Sequence, residues 1–410
     1  VTDVAGARRS RKAPSPQALL AAACGIVSNE GLAGLTLRPL AEALGVSVTV
    51  LTNHYGARAD VIAAVCDAAC EHDRQLLDRW RAMLDALGTL SPSIAAGLAE
   101  TMLEECATEQ RAVSVLYLEV LHACTWDEAL RPLFAAWSAE RHGFWQLFAE
   151  CAELAPSLLA SGWWHGYMIA ELAYSLVLNP VSSYRTLRRL CLRRLFAGGV
   201  ATHADAGDAA LFALLLEQMQ VVSGDLSDEP GGASAWAAQA ARICGRRLAA
   251  QGVHGLTHRA IAAEIGIPHT TLSYRYPAQR DLVIAGLESI IAHIRFAVDA
   301  DSLTELQRLR VEGDGKQLDL ARANFAVAIA ATRMPELSTY TADMRSRRGN
   351  NLAKVFTKYL PQTAGIDGLC AQVISMGLTG LTNTEPPGDA SDKTVAAAFG
   401  AAAQWLQRQP

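Results

Sequence analysis

Two short stretches gather polar side chains at a spacing that can do chemistry. Ser47, Thr49, Thr52, Asn53 and His54 lie within eight residues, and so do Pro268, His269, Thr271, Ser273, Tyr274 and Arg275. Hydroxyls, an amide, imidazoles and a guanidinium crowded on a short helix suit hydrogen bonding to the base edges and phosphates of duplex DNA. Asn53 has the donor and acceptor that adenine needs, and Arg275 suits guanine or a phosphate. Both stretches follow the same interruption. An apolar helical pattern stops at Gly45-Val46-Ser47 or Gly266-Ile267-Pro268, restarts for about two turns, and ends at Tyr55 or Tyr276.

The elements that position these residues are themselves repeated. Residues 31–61 align without a gap to residues 252–282, an offset of 221 positions. Twelve positions are identical: Gly31/Gly252, Gly34/Gly255, Leu35/Leu256, Thr36/Thr257, Arg38/Arg259, Ala41/Ala262, Gly45/Gly266, Thr49/Thr270, Leu51/Leu272, Tyr55/Tyr276, Ala57/Ala278 and Asp60/Asp281. The chain therefore reads as a duplication. In the first copy Ser15 caps a helix from Pro16 to Asn29, with proline at its first position. Thr36 caps a second helix through Leu44, Gly45 ends it at positive φ, and Ser47 caps a third to Tyr55. A fourth begins near Ala57 or Arg58 and runs unbroken past Trp80. Thr257, Gly266 and Pro268 repeat the pattern. Helix, glycine turn, short helix is a helix-turn-helix unit, whose second helix lays its free face in the major groove.

Length and composition bound the rest. A chain of 410 residues is too long for one ordinary core. Ala, Leu, Glu, Arg and Gln dominate and strand-like alternation is scarce, so the fold class is all-α. The nine cysteines are dispersed without a CxxC pair, which suits reduced, buried thiols and a cytoplasmic protein. No metal or cofactor is expected, and no apolar run reaches membrane-spanning length. Neither a G-x-S-x-G, a Walker loop, an H-E-x-x-H nor a dinucleotide loop occurs, so catalysis is not expected. The net charge of −5 leaves room for local basic regions. Residues 1–66 carry Arg8, Arg9, Arg11, Lys12, Arg38 and Arg58 against four acids. Residues 234–291 carry Arg242, Arg246, Arg247, Arg259, Arg275 and Arg280 against Glu264, Asp281 and Glu288.

The segments Gly45–Val61 and Gly266–Leu282 resemble the TetR family of bacterial regulators in the pattern G-V-S-x-G-[ST]-[LIV]-Y-x-[HY]-F-x-[SN]-K-x-x-L. The chain has about twice the family's usual length. Thr52 and Ser273 stand where the family has a phosphate-touching Tyr, Arg58 and Gln279 where it has Lys, and Thr49 and Thr270 where it has Gly. The resemblance implies two tandem units, each a DNA-binding domain followed by a helical ligand-binding and dimerisation domain. A pseudo-symmetric four-helix bundle would join them in a single-chain pseudo-dimer. The domains are then a basic arm at 1–14, a reader at 15–66, an effector domain at 67–222, a linker at 223–233, a second reader at 234–284 and a second effector domain at 285–410. The expected DNA contacts are Arg8, Arg9, Arg11, Lys12, Thr36, Arg38, Ser47, Thr49, Thr52, Asn53, His54 and Arg58 in the first half. In the second half they are Thr257, Arg259, His269, Thr271, Ser273, Tyr274, Arg275 and Arg280. The implied function is a repressor that leaves an imperfectly palindromic operator when a small molecule binds, with higher-order assembly on DNA left open.

A site for that molecule is expected where large aromatics concentrate, in the first effector domain. Trp126, Trp137, Trp163, Trp164 and Tyr167 would form its walls, with Glu119, His122, His165 and Glu171 as anchors for an aromatic, apolar or cationic effector. For the bundle, residues 161–178 are expected to pair with 205–221, and 370–381 with 393–407. The five arginines between Arg185 and Arg194 read as a solvated helix face. An alternative reading remains: a helical interaction or ligand-sensing protein with degenerate DNA-binding units.

Overall fold

The computed structural model describes residues 13–198, 206–220, 235–298, 319–359 and 367–407. Among them are twenty α-helices and no sheet. The basic arm from Arg8 to Lys12 and the linker at 223–233 lie outside the described residues. No described helix is long and apolar enough to cross a membrane. The chain forms two compact units that do not follow the sequence repeat. One contains the described residues up to Leu87 and Ala112–Phe144; the other contains Gly88–Arg111 and the described residues from Trp145 onward.

The first unit begins with α1 (Pro16–Glu30), α2 (Leu37–Ala43), α3 (Val48–Tyr55) and α4 (Arg58–Leu87). Ser15 Oγ accepts the Ala18 amide at 3.2 Å, so α1 starts where the Ser-Pro pair places it. Leu19, Ala23, Val27, Leu40, Ala41, Val46 and Leu51 are buried where these helices meet. The helix α4 is continuous over 30 residues, as its lack of Pro and Gly implies. The unit also holds α6 (Arg111–Ala123) from Ala112 on and the start of α7 (Leu130–Cys151), with α5 (Pro92–Ala107) belonging to the second unit. The core of the first unit contains a polar knot: Asp73, 1 % exposed, accepts from both Arg141 and the Trp137 indole, and the Arg141 guanidinium lies 4.1 Å from the Tyr117 ring centroid.

The second unit continues with α8 (Pro156–Ala160), α9 (Trp163–Leu178), α10 (Ser182–Phe196) and α11 (Ala206–Met219). A second three-helix segment follows as α12 (Ala235–Gln251), α13 (His258–Ile265) and α14 (His269–Arg275), leading into α15 (Gln279–Val298). The last helices are α16 (Leu320–Ala331), α17 (Ser338–Ser346), α18 (Asn350–Tyr359), α19 (Gly368–Thr382) and α20 (Asp389–Gln407). The organising contact is the crossing of α9 and α19. A Cβ on Gly166 would strike the backbone of Gly377 and Leu381, one on Gly380 the carbonyl of Gly166, and one on Gly377 the Trp163 ring. Three glycines thus let two helix backbones touch.

Two expectations are corrected. α19 packs with α20 as expected, but the first-half helix that joins α9 on α19 is α10, not residues 205–221; α11 lies instead on α10 and α17. The reason is the chain reversal at Asn179–Val181, which directs α10 back along the bundle. The arginine-rich stretch is a solvated face only in part, since Arg189 and Arg193 are exposed and the others are not. Arg188 and Arg194 are 0 % and 4 % exposed and pair with Glu104 at 2.6 Å and Asp367 at 2.8 Å. Arg189 reaches Glu100 at 2.8 Å from the surface. Charge on α10 therefore serves packing, with opposite charges supplied by α5 and the start of α19.

Gly380→Ala is expected to lower stability by about 1–3 kcal/mol or more, because backbone rather than a flexible side chain blocks the methyl group. Gly25→Ala, at an open position inside α1, is expected to raise it by about 0.5–1 kcal/mol. Urea unfolding midpoints check both.

Candidate nucleic-acid interface

The two repeated three-helix segments, the candidate readers, share most of their local devices. Gly45 and Gly266 sit at φ of 65° and 80°, where other residues are strained. Each lets the chain close a bond from the amide of the next residue to a carbonyl five residues back: Val46 to Ala41 and Ile267 to Ala262, both 3.0 Å. That is the helix-terminating bond a left-handed glycine permits. Ser47 Oγ then accepts the Val50 amide at 3.2 Å to start α3, and Thr257 Oγ1 accepts the Ala260 amide at 3.2 Å to start α13. Asp60 and Asp281 each accept the amide three residues earlier, Ala57 and Ala278, at 2.8 Å. The fourth helix thus leaves each reader by the same backward cap.

The short helices α3 and α14 each bury one leucine completely, Leu51 and Leu272, and turn the rest outward. On α3, Val48, Thr49, Asn53 and His54 are exposed. Thr52 is half-buried, and its hydroxyl donates back to the Val48 and Thr49 carbonyls at 3.1 and 3.3 Å within the same helix. Tyr55 donates to the Pro14 carbonyl at 2.8 Å and fixes the entry to α1. On α14, His269, Thr271, Tyr274 and Arg275 are exposed, and Tyr274 is 92 % exposed. Ser273 Oγ stands 3.3 Å from His269 Nε2. Ahead of these helices Thr36, Arg38, Thr257 and Arg259 are exposed, and Arg38 pairs with Glu42 at 3.0 Å.

The start of the fourth helix differs between copies. Arg58 is exposed, and no ion-pair partner is seen for it among the described residues. Gln279 donates to the Val253 and Leu256 carbonyls at 3.2 and 3.0 Å, which closes the turn after α12. Arg280 is paired with Glu336. Arg247 and Arg246 share Glu264, at 3.0 and 3.6 Å. The second reader thus has much of its positive charge committed within the protein.

The residues expected to hold a small molecule divide between the two units. Glu119 accepts the Leu32 amide at 3.2 Å and ties α6 to the first reader. His122 is buried edge-on to Trp126 at 4.6 Å, and the Trp137 indole donates to Asp73. These four lie in the first unit; the other five lie in the second. There Trp163 donates to the Ile374 carbonyl at 3.3 Å, and Trp164 to the Trp145 carbonyl at 2.8 Å with its ring stacked on Tyr167 and Phe148. His165 is buried among them. Glu171, with no exposed surface, pairs with Arg345 at 3.1 Å and accepts from Tyr184 at 2.8 Å. Burial pushes the Tyr184 phenol up, and the Glu171 carboxylate adds to this. Burial also raises the Cys24, Cys66, Cys244 and Cys370 thiols to about 12, so they stay protonated near neutral pH. The aromatic-rich helices are packed core. A cleft of about 720 Å³ opens elsewhere, between the ends of α5, α9 and α16 and the start of α10. None of the nine expected residues lines it. Its signal in the sequence was faint, since Arg111, Arg185 and Thr332 belong to no motif.

No family model and no curated protein matches the chain.

Glu171→Gln is expected to act on stability before anything else. It leaves the Arg345 guanidinium buried without its carboxylate, a loss of about 3–5 kcal/mol read from urea unfolding. A change in small-molecule affinity without that loss would restore Glu171 as an anchor.

Proposed function

We propose that the chain is a DNA-binding transcription regulator of the TetR kind, carrying two unlike readers, that represses until a small molecule releases it. The observation that carries this reading is what the two copies keep. Half of the identical positions have a structural reason in both copies: Gly31/Gly252 and Gly45/Gly266 at positive φ, the buried Leu35/Leu256, Leu51/Leu272 and Ala41/Ala262, and the caps at Asp60/Asp281. Arg38/Arg259 and Thr49/Thr270 have none that both copies share: Arg38 pairs with Glu42 at 3.0 Å, and the matching position in the second copy is Ala263. All four side chains are exposed, on or just before the short helices. A guanidinium and a hydroxyl retained on the surface of both copies are what phosphate and base contacts require. The exposed positions that differ, Asn53 against Tyr274 and His54 against Arg275, make the readers unlike. Adenine suits Asn53, and guanine or a phosphate suits Arg275.

Release needs a path from effector helices to reader. α4 is a continuous helix from Arg58 to Leu87, and Glu119 on α6 bonds the turn between α1 and α2. A displacement of α6 is therefore felt directly by the first reader. The ligand must prefer one arrangement of these helices, since equal affinity for both shifts nothing. Linkage then requires operator DNA to weaken ligand binding by the same factor.

The operator is expected to have unequal half-sites. A single-base substitution scan should give different tolerances at symmetric positions, and equal tolerance would contradict unlike readers. Arg58→Ala is expected to weaken binding across sequences and reduce the salt slope by about 1, as the loss of one phosphate contact does. Arg280→Ala, removing a guanidinium already held by Glu336, should leave the slope nearly unchanged. Fluorescence anisotropy over a salt series measures both.

A further inference from the structure

The cleft beside α9 brings together two guanidiniums, neither in a direct ion pair among the described residues. Arg111 is half-buried. It donates to the Leu176 carbonyl in the last turn of α9 and, at 3.2 Å, to the Thr332 carbonyl at the end of α16. Arg185 donates to the Asn179 carbonyl at 2.6 Å. Among the described residues neither is joined to an acid within ion-pair distance. Arg185 acts on the Glu104 carboxylate only at a distance, since that carboxylate is engaged directly by Arg188 at 2.6 Å and by the Asn179 amide at 2.9 Å. Carbonyls at helix ends offset part of the Arg111 charge, but each carries only a fraction of an electron. Burial accordingly lowers the Arg111 pKa, with no carboxylate holding it up. No Asp or Glu lines the cleft, and the rest of the wall is largely apolar, including Leu176, Val177, Pro180 and Pro335.

We infer that this cleft binds an amphipathic organic anion, its carboxylate taken by Arg111 and Arg185 and its apolar body laid against Leu176, Pro180 and Pro335. A concave, mostly apolar site with a few polar groups is the usual form of a small-molecule site, and the volume of about 720 Å³ is ample for a medium-chain acid. The charge sign departs from the cationic effector that the acidic residues in the sequence suggested. A consequence follows, which rests on the regulator reading. Pro335 and Ser338 line the cleft, and between them Glu336 holds Arg280 at the start of α15, where α15 leaves the second reader. A guest that shifts this turn alters the hold on that guanidinium.

Calorimetry of the whole chain without DNA tests the site, using decanoate below its micelle concentration, decan-1-ol and decyltrimethylammonium as probes. Decanoate is expected to bind at least about tenfold more tightly than either, a difference of about 1.4 kcal/mol. Arg185→Gln, at a half-exposed position away from the core, should erase that preference, Arg111→Lys should reduce it, and Ser338→Trp should abolish binding by filling the cleft. Equal binding of all three probes, or decanoate binding that survives Arg185→Gln and Ser338→Trp unchanged, overturns the inference. The regulator reading is tested separately by operator affinity. Decanoate that binds as expected without altering operator affinity would sustain the site and remove its proposed role in release.

Discussion

The second unit depends on a pair of charges that water does not reach. Glu171 on α9 and Arg345 on α17 come from opposite halves of the sequence, and neither has exposed surface. Burying two ions is costly unless their geometry is good and their other valences are filled. Here the Tyr184 hydroxyl supplies Glu171 with a further bond, while Nε and Nη1 of Arg345 are buried with no hydrogen-bond partner among the described residues, so the pair is only partly satisfied. Burial opposes the Arg345 charge, yet the neighbouring Glu171 carboxylate holds its pKa raised. A pair of this kind adds little net stability over an apolar contact of the same shape. It penalises every other register of α9 against α17, because a slip leaves a buried ion alone. The glycine crossing of α9 and α19 sets the depth of contact and the ion pair sets its alignment. Together they make one core from two halves of a duplicated chain.

What was legible in the sequence was local. Ser15 before Pro16, Ser47 after Gly45, Thr257 and Asp60 act on amides within three residues of themselves, so their roles follow from the chain itself. The glycines at 45 and 266 were legible for the same reason. The arginines of α10 were not. Arg188 and Arg194 are explained by Glu104 and Asp367, which lie 84 and 173 residues away. A run of arginines without neighbouring acids reads as solvated when the matching acids are distant in the chain. The Glu171 partner, 174 residues away, was hidden likewise, and the carboxylate passed for a ligand anchor. The indole N–H groups of Trp137, Trp163 and Trp164, whose partners are also distant in the chain or on another helix, are bonded inside the protein.

The two readers illustrate how a duplicated element diverges. The glycine turns, the Asp60/Asp281 caps and the buried leucines recur, while the Ser47 cap of α3 and the Thr257 cap of α13 each occur in one copy only. The outer surface differs further. In the second copy Gln279 closes a turn, Arg280 is held by Glu336, and Arg246 and Arg247 share an acid. In the first, Arg58 stands exposed at the corresponding place. On the proposed reading, non-specific grip on phosphate is concentrated in the first reader, and the second contributes chiefly through Tyr274, Arg275 and their neighbours.

The central claim is that this chain binds duplex DNA, and the most direct measurement is a titration against random-sequence duplex at low ionic strength. The account predicts binding at about 50 mM salt that weakens steeply by about 200 mM, as counterion release requires. No binding at the lower salt, by a chain shown to be folded, would contradict the account and favour a helical interaction protein that has kept the shape of two readers without their use.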